Sequence, residues 1–268
     1  GINGCNIIYS KNKRYFMSNF EKKYKKLLLK CLSNNALTNN RTHTKTYKLF
    51  NESININLNE GFPILTSKKI FFEKALAEFK WMFKGRTDLK YLQDNNIKWW
   101  NDFANDNKEL GKVYGHQIRN FGYEIDQIKY AIKEINNNSR RAIITLWNPC
   151  DLNDQALPCC FTQFNFVRIN NKLNMTMTFR SSDLFLGLPY DIIVGALFLI
   201  TISNKCNLKA DTLGINLADA HIYENHLNQV KEYCNNKIHN LPKLEGNYNS
   251  YALKNYFSEN FIKAELIK

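Results

Sequence analysis

The chain has no Cys-x-x-Cys pair, and its five histidines do not cluster with its cysteines, so a zinc site is a poor expectation. The cysteines number seven, an odd count without paired spacing, which argues against a disulfide framework. Reduced thiols and a cytoplasmic protein are expected. No apolar run is long enough to cross a bilayer; the longest, residues 192–202, contains Gly195 and Thr201 and reads as a buried helix. The first 16 residues are polar and basic without a signal-peptide core. They read as a flexible extension, with Met17 a candidate start and residues 17–268 one catalytic domain. Internal repeats and linkers are also missing.

Acidic residues are fewer than basic ones, 24 against 37, leaving a formal charge of +13. One reading is a lysine- and asparagine-rich surface; the other is attraction to polyanions or phosphorylated substrates. No groove-reading motif or aromatic–basic interleaving supports nucleic-acid binding. What is present is globular: 44% hydrophobic and 13% aromatic residues in 268, enough for a substantial core.

Helical spacing covers residues 18–32, where Ser18 and Glu21 have capping-box spacing. Residues 47–58 alternate and carry β-branched side chains, predicting extended structure. A helix over 72–84 ends at Gly85, and another covers 126–136. Residues 141–147 form a short apolar strand. Leu173, Met175, Met177 and Phe179 alternate with polar residues as in a half-buried strand. Pro189 suits the first turn of the long apolar helix. The fold class is α+β.

Three features carry chemistry. Cys159-Cys160 sits at a predicted strand start, where one thiol is inert core or a nucleophile needing a depressed pKa. Arg140, Arg141 and Arg180 lie in the same strand-rich region. Glu78, within an apolar helical face, is either a surface residue or a buried acid with a raised pKa.

The order of these features with their surrounding motifs resembles one family. The motifs are Gly61-Phe-Pro-Ile-Leu-Thr-Ser-Lys-Lys69, Val113-Tyr-Gly-His-Gln117, Ser139-Arg-Arg-Ala-Ile-Ile144, Trp147-Asn-Pro149 and Ala156-Leu-Pro-Cys-Cys160. They continue with Arg180-Ser-Ser-Asp-Leu-Phe-Leu-Gly-Leu-Pro189 and Asp219-Ala-His-Ile-Tyr223. The segment from Arg41 to Ile262-Lys-Ala264 resembles thymidylate synthases and the related pyrimidine-nucleotide hydroxymethylases.

The resemblance implies one α+β domain with a large mixed sheet flanked by helices, paired sheet-to-sheet in a homodimer. It implies a pyrimidine nucleotide monophosphate as substrate and 5,10-methylenetetrahydrofolate as one-carbon donor. Cys160 matches the nucleophile that adds to C6, chosen over Cys159 by gap-free counting back from Arg180. Arg41, Arg180 and Ser181 match phosphate-holding groups, and Arg140 and Arg141 match a pair reaching the partner's phosphate site. Glu78 matches the acid organising proton transfer near C4. His221 and Tyr223 match groups binding the sugar 3′-hydroxyl. Trp100, Phe103, Asp183, Leu186, Gly187, Tyr190, Tyr223 and Ile267 match the folate side, and Asp183 is counted with the catalytic groups.

Three departures bear on the substrate. Asp191 stands where thymidylate synthases have asparagine facing N3–H and O4 of uracil. A protonated aspartic acid donates to cytosine N3 and accepts from its amino group, so Asp191 points to a deoxycytidylate hydroxymethylase, a kind of enzyme phages use. Its alternative reading is an acidic residue favoured at a helix N-terminus. Phe161 replaces a histidine that orders water near C4, and Asn165 replaces glutamine. A dCMP methylase, an atypical thymidylate synthase and a basic nucleic-acid-binding protein are the remaining readings.

Overall fold

A computed structural model describes residues 19–34, 37–122 and 124–267. The expected extension over 1–16, Met17 and Ser18 lie outside the described residues. Helix α1 (Asn19–Ser33) buries Phe20, Tyr24, Leu27, Leu28 and Cys31 along one stripe. The capping box expected from Ser18 and Glu21 falls partly outside the described residues. The buried Glu21 carboxylate accepts from Thr66 N (2.9 Å), Ser67 N (2.7 Å) and the Tyr233 hydroxyl (2.8 Å), tying the helix to a distant loop.

A short strand β1 (Leu37–Thr38) precedes β2 (Thr46–Asn57). Helix α2 (Phe72–Phe83) follows, ended by Gly85 at φ +75°, a left-handed conformation that favours glycine. Smaller helices α3 (Leu89–Asp94), α4 (Tyr114–Arg119) and α5 (Gln127–Asn136) lead to β3 (Ile143–Thr145). Asp126 caps α5 by accepting from Ile128 N and Lys129 N. The strand expected over 141–147 is shorter: paired positions on β4 cover Ile143–Thr145, and on either side Phe166 N donates to Ala142 O and Leu146 N to Thr162 O.

Strands β4 (Phe161–Ile169) and β5 (Lys172–Phe179) form a hairpin; β6 (Ser182–Asp183) follows, then α6 (Gly187–Lys205) and β7 (Lys209–Tyr223). Helix α7 (Leu227–Asn235) and the hairpin β8 (Lys243–Glu245) and β9 (Ala252–Lys254) complete the described elements.

The main sheet runs β1-β2-β7-β5-β4-β3, and β6 also pairs with β7. It is mixed: β7 is antiparallel to β2 but parallel to β5 and β6. The inner face of β5 presents Leu173, Met175, Met177 and Phe179, all buried, as the alternation predicts. Helix α6 packs on this face against β5, β7 and α2. Its composition and length would suit a membrane span, but its apolar residues are enclosed by the core. A Cβ at Gly195 would lie 2.9 Å from Met177 Sδ, so the glycine lets helix and sheet approach closely. Strands β5 and β6 both run beside β7, and the gap between them holds Arg180 and Ser181.

Candidate active site

A cleft of about 370 Å³ opens between α2, the start of α6, loop 68–71 and the C-terminal segment. Its walls include Phe71, Trp99, Leu186, Tyr190, Phe261 and Leu266, with Lys68, Lys69 and Lys74 among its cationic groups. Cys160, Glu78, Tyr114 and Asp191 line it as well. The Trp99 and Tyr190 rings meet at 5.4 Å. The tail is pinned in place: His226 Nε2 bonds Glu265 O at 2.7 Å, and Lys69 N donates to Asn260 O at 3.2 Å.

The vicinal cysteines have separate environments. Cys159 is fully buried, and burial pushes its thiol up to about 12. Cys160 lines the cleft. Burial raises its thiol pKa too, but the Arg180 charge opposes this, with Arg180 Nη2 3.9 Å from the sulfur. Asp191 raises it further, while the Tyr114 hydroxyl and Arg41 favour the thiolate. Tyr114 Oη also accepts the Cys160 amide N–H at 2.7 Å. Arg180 is held by donating Nε to Cys159 O (2.9 Å) and Nη2 to Pro158 O (2.8 Å), with its guanidinium 5.6 Å from the Trp147 ring. A thiol beside a fixed cation is the one equipped to become a nucleophile.

Two carboxyls face the cleft. Glu78 accepts the indole N–H groups of Trp100 (2.7 Å) and Trp99 (3.2 Å) at one oxygen. Burial raises its pKa, with these hydrogen bonds opposing the shift. Enclosure pushes the Asp191 carboxyl well above the usual carboxylate range, and the charges of Glu78 and Asp183 add to this. Asp191 makes no side-chain hydrogen bond among the described residues, so its carboxyl oxygens are available to a ligand.

Beyond Arg180 a second hollow, of about 140 Å³, is lined by Asn40, Arg41, Thr42, Thr46, Lys48, Ser181, Asp219, His221 and Tyr223. Its cations and hydroxyls suit a phosphate and a sugar. With the Cys160 thiol between an apolar cleft and a cationic hollow, comparison with known proteins decides the family. The chain matches the family described as Thymidylate synthase over residues 22–266. It is 38% identical over 244 residues to the thymidylate synthase of Francisella tularensis subsp. holarctica, covering 85% of this chain and 89% of that protein. The chain belongs to the thymidylate synthase family. It is therefore a one-carbon transferase, and 5,10-methylenetetrahydrofolate is the donor that thymidylate synthases use.

Within this family member the expected site residues divide. Cys160, Glu78, Leu186, Gly187, Tyr190 and Asp191 converge on the cleft, and Arg41, Arg180, Ser181, His221 and Tyr223 on the hollow. Asp183 bends the chain into α6 instead, accepting from Phe185 N (2.9 Å) and Leu186 N (3.2 Å). Trp100 is packed between Trp81, Phe103 and Tyr114, so Trp99 is the indole that lines the cleft. Phe103 packs on Trp100 away from the cleft, and Leu266 lines it in place of Ile267. Arg140 and Arg141 are exposed and line neither space.

Phe161 is buried beneath Tyr114, ring centroids 4.4 Å apart, and does not line the cleft. Asn165 lies within β4, opposite Ile143 and Thr176, and contributes nothing to the cleft wall. Sequence reading passed over Tyr114, Trp99 and the cleft lysines, although Tyr114, Lys68 and Lys69 stand inside the quoted motifs. Lys68 is buried with its Nζ donating to Phe185 O at 2.6 Å, and burial lowers its pKa to about 7.

Proposed function

We propose that the enzyme acts on deoxycytidylate and forms 5-hydroxymethyl-dCMP, with Cys160 as the nucleophile. The observation that carries this reading is the Asp191 carboxyl, which faces the cleft beside Cys160 without a side-chain partner among the described residues, in an enclosure that favours its protonated form. A protonated carboxyl offers one O–H donor and one carbonyl acceptor, complementary to cytosine N3 and its 4-amino group. Uracil presents N3–H and O4, the reverse order. A mismatch leaves buried polar groups unpaired at roughly 1–3 kcal/mol each.

The residues fit the donor as well. A flat conjugated ring system matches the walls formed by Trp99, Tyr190, Phe71 and Phe261, and a carboxylate tail matches Lys69 and Lys74. When bound, 5,10-methylenetetrahydrofolate supplies the carbon as an electrophilic methylene. Cys160 adds through sulfur to C6 of the base, making C5 nucleophilic; C5 gives up its proton, water supplies the hydroxyl of the 5-hydroxymethyl group, and the S–C6 bond breaks to return the thiolate. Arg180 stabilises the thiolate and, with Arg41 and Ser181, holds the phosphate. Glu78 moves protons near C4. In a homodimer, Arg140 and Arg141 reach the partner's phosphate site.

The 38% identity to a thymidylate synthase favours a second reading, methylation of dUMP. A hydroxymethyl product keeps the oxidation level of the donated carbon, whereas a methyl product needs two more electrons and generates dihydrofolate. Incubation with the donor and either dCMP or dUMP, read by product mass and dihydrofolate absorbance, separates them. Hydroxymethyl-dCMP without dihydrofolate is expected. Turnover of dUMP alone overturns the proposal.

A further inference from the structure

We propose that Lys48 and Asp219 are positioning residues that fix the tautomer of His221, so that its Nε2 accepts a hydrogen bond from the sugar 3′-hydroxyl. This rests on the reading that the nucleotide places its sugar in the smaller hollow.

The arrangement follows from the register of two strands. Lys48 on β2 lies directly opposite His221 on β7, and Asp219 precedes His221 by two residues, so all three share one face. Asp219 is gripped from two sides: its Oδ2 accepts from Lys48 Nζ at 2.8 Å, and its Oδ1 meets His221 Nδ1 at 2.8 Å. Burial pushes the Asp219 carboxyl up, but the His221 and Lys48 hydrogen bonds outweigh it and hold the group at about 2. An ionised carboxylate only accepts, so the shared proton belongs to His221 Nδ1. In the neutral ring Nε2 is then an acceptor. Nε2 has no partner among the described residues, while the His221 ring, itself buried, lines the hollow beside Tyr223 and Ser181. A hydroxyl that donates is the complementary ligand.

Lys48 contributes by occupying the second oxygen of Asp219. This fixes the carboxylate's orientation and keeps it charged, so the ring has one stable tautomer. Without Lys48 the carboxylate is free to turn, and without an ionised acceptor at position 219 the proton is free to sit on Nε2, which would then repel the hydroxyl hydrogen.

The test uses the whole 268-residue chain with Lys48→Met, Asp219→Asn and Lys48→Arg. Nitrogen-15 NMR of histidine in the unliganded protein is expected to show protonated Nδ1 at His221, lost or mixed in Asp219→Asn and Lys48→Met and restored in Lys48→Arg. A wild-type ring protonated at Nε2, or a spectrum indifferent to both substitutions, overturns the proposal. Kinetics are then run with the 2′-deoxynucleotide and its 2′,3′-dideoxy counterpart. Asp219→Asn is expected to raise KM for the deoxynucleotide about tenfold, the effect of one hydrogen bond, with kcat changed far less and no added penalty on the dideoxynucleotide. If the wild type shows equal KM for both nucleotides, the placement of the sugar falls. If it distinguishes them and Asp219→Asn still does, the role of Asp219 alone falls.

Discussion

The cleft around Cys160 and the hollow around His221 meet at Arg180, yet each handles an aspartate in the opposite way. Asp191 has no cationic partner in contact and is enclosed near Glu78 and Asp183, which pushes its pKa well above the usual carboxylate range. Asp219 is partly buried too, but donors from Lys48 and His221 reach both its oxygens, so its proton is lost at about 2. Burial alone pushes both the same way. What separates them is whether donors reach the oxygens. In the proposed placement of the nucleotide, the end facing the base favours a neutral carboxyl, while the end facing the sugar offers a fixed negative anchor.

The largest effect that would break this contrast is loss of the proposed nucleophile. Cys160→Ser is expected to reduce turnover to background, while Cys159→Ser leaves the chemistry and costs stability by placing a hydroxyl in the core; steady-state rates and thermal melts compare the two. Next, Asp191→Asn is expected to shift the ratio of kcat/KM for dCMP over dUMP towards dUMP by roughly 10- to 100-fold. An unchanged ratio breaks the account of Asp191. Glu78→Gln is expected to lower kcat by about 10²-fold, and the pH–rate profile loses the limb set by that acid.

The smallest effect sharpens the comparison through stability. The folded pKa of Asp191 is raised, so the native state binds a proton that the unfolded chain releases near pH 4. Asp191→Asn should therefore raise Tm at pH 7, with the gain shrinking as pH approaches about 4. The folded pKa of Asp219 is depressed. Its stabilisation is present above about pH 4 and lost as pH falls towards 2, so Asp219→Asn should lower Tm at pH 7 and flatten that acid limb. Parallel melts of the two variants give opposite signs if the contrast holds.

Much of the fold was legible because local patterns and tertiary demands agree. The period of β5 and the apolar run of α6 each state one buried face, and Gly85 marks a stop that only its conformation permits. The grip of Glu21 on Thr66 and Ser67 was not legible, because spacing reports only local partners while these loop donors lie about 45 residues away. The choice between Trp99 and Trp100 was equally beyond a linear reading: adjacent indoles point different ways, and only packing against Trp81 and Tyr114 decides which is buried. Lys48 gave no signal at all, since its meaning arises from the β2–β7 register. The separation of Cys159 from Cys160 was reachable by motif counting, but the physical reason, core against cleft, was not.

Loop 66–69, which brings Lys68 and Lys69 to the cleft, is held by Glu21 near the start of the described chain. It is held again from near the end, by Glu259 N on Thr66 O and by Asn260 O on Lys69 N. Residues more than 200 positions apart thus brace one rim. During synthesis that rim waits for residues 259 and 260 to leave the ribosome, whereas the last strand of the main sheet ends at Tyr223, so a nascent chain can build its sheet before it can shape a working pocket.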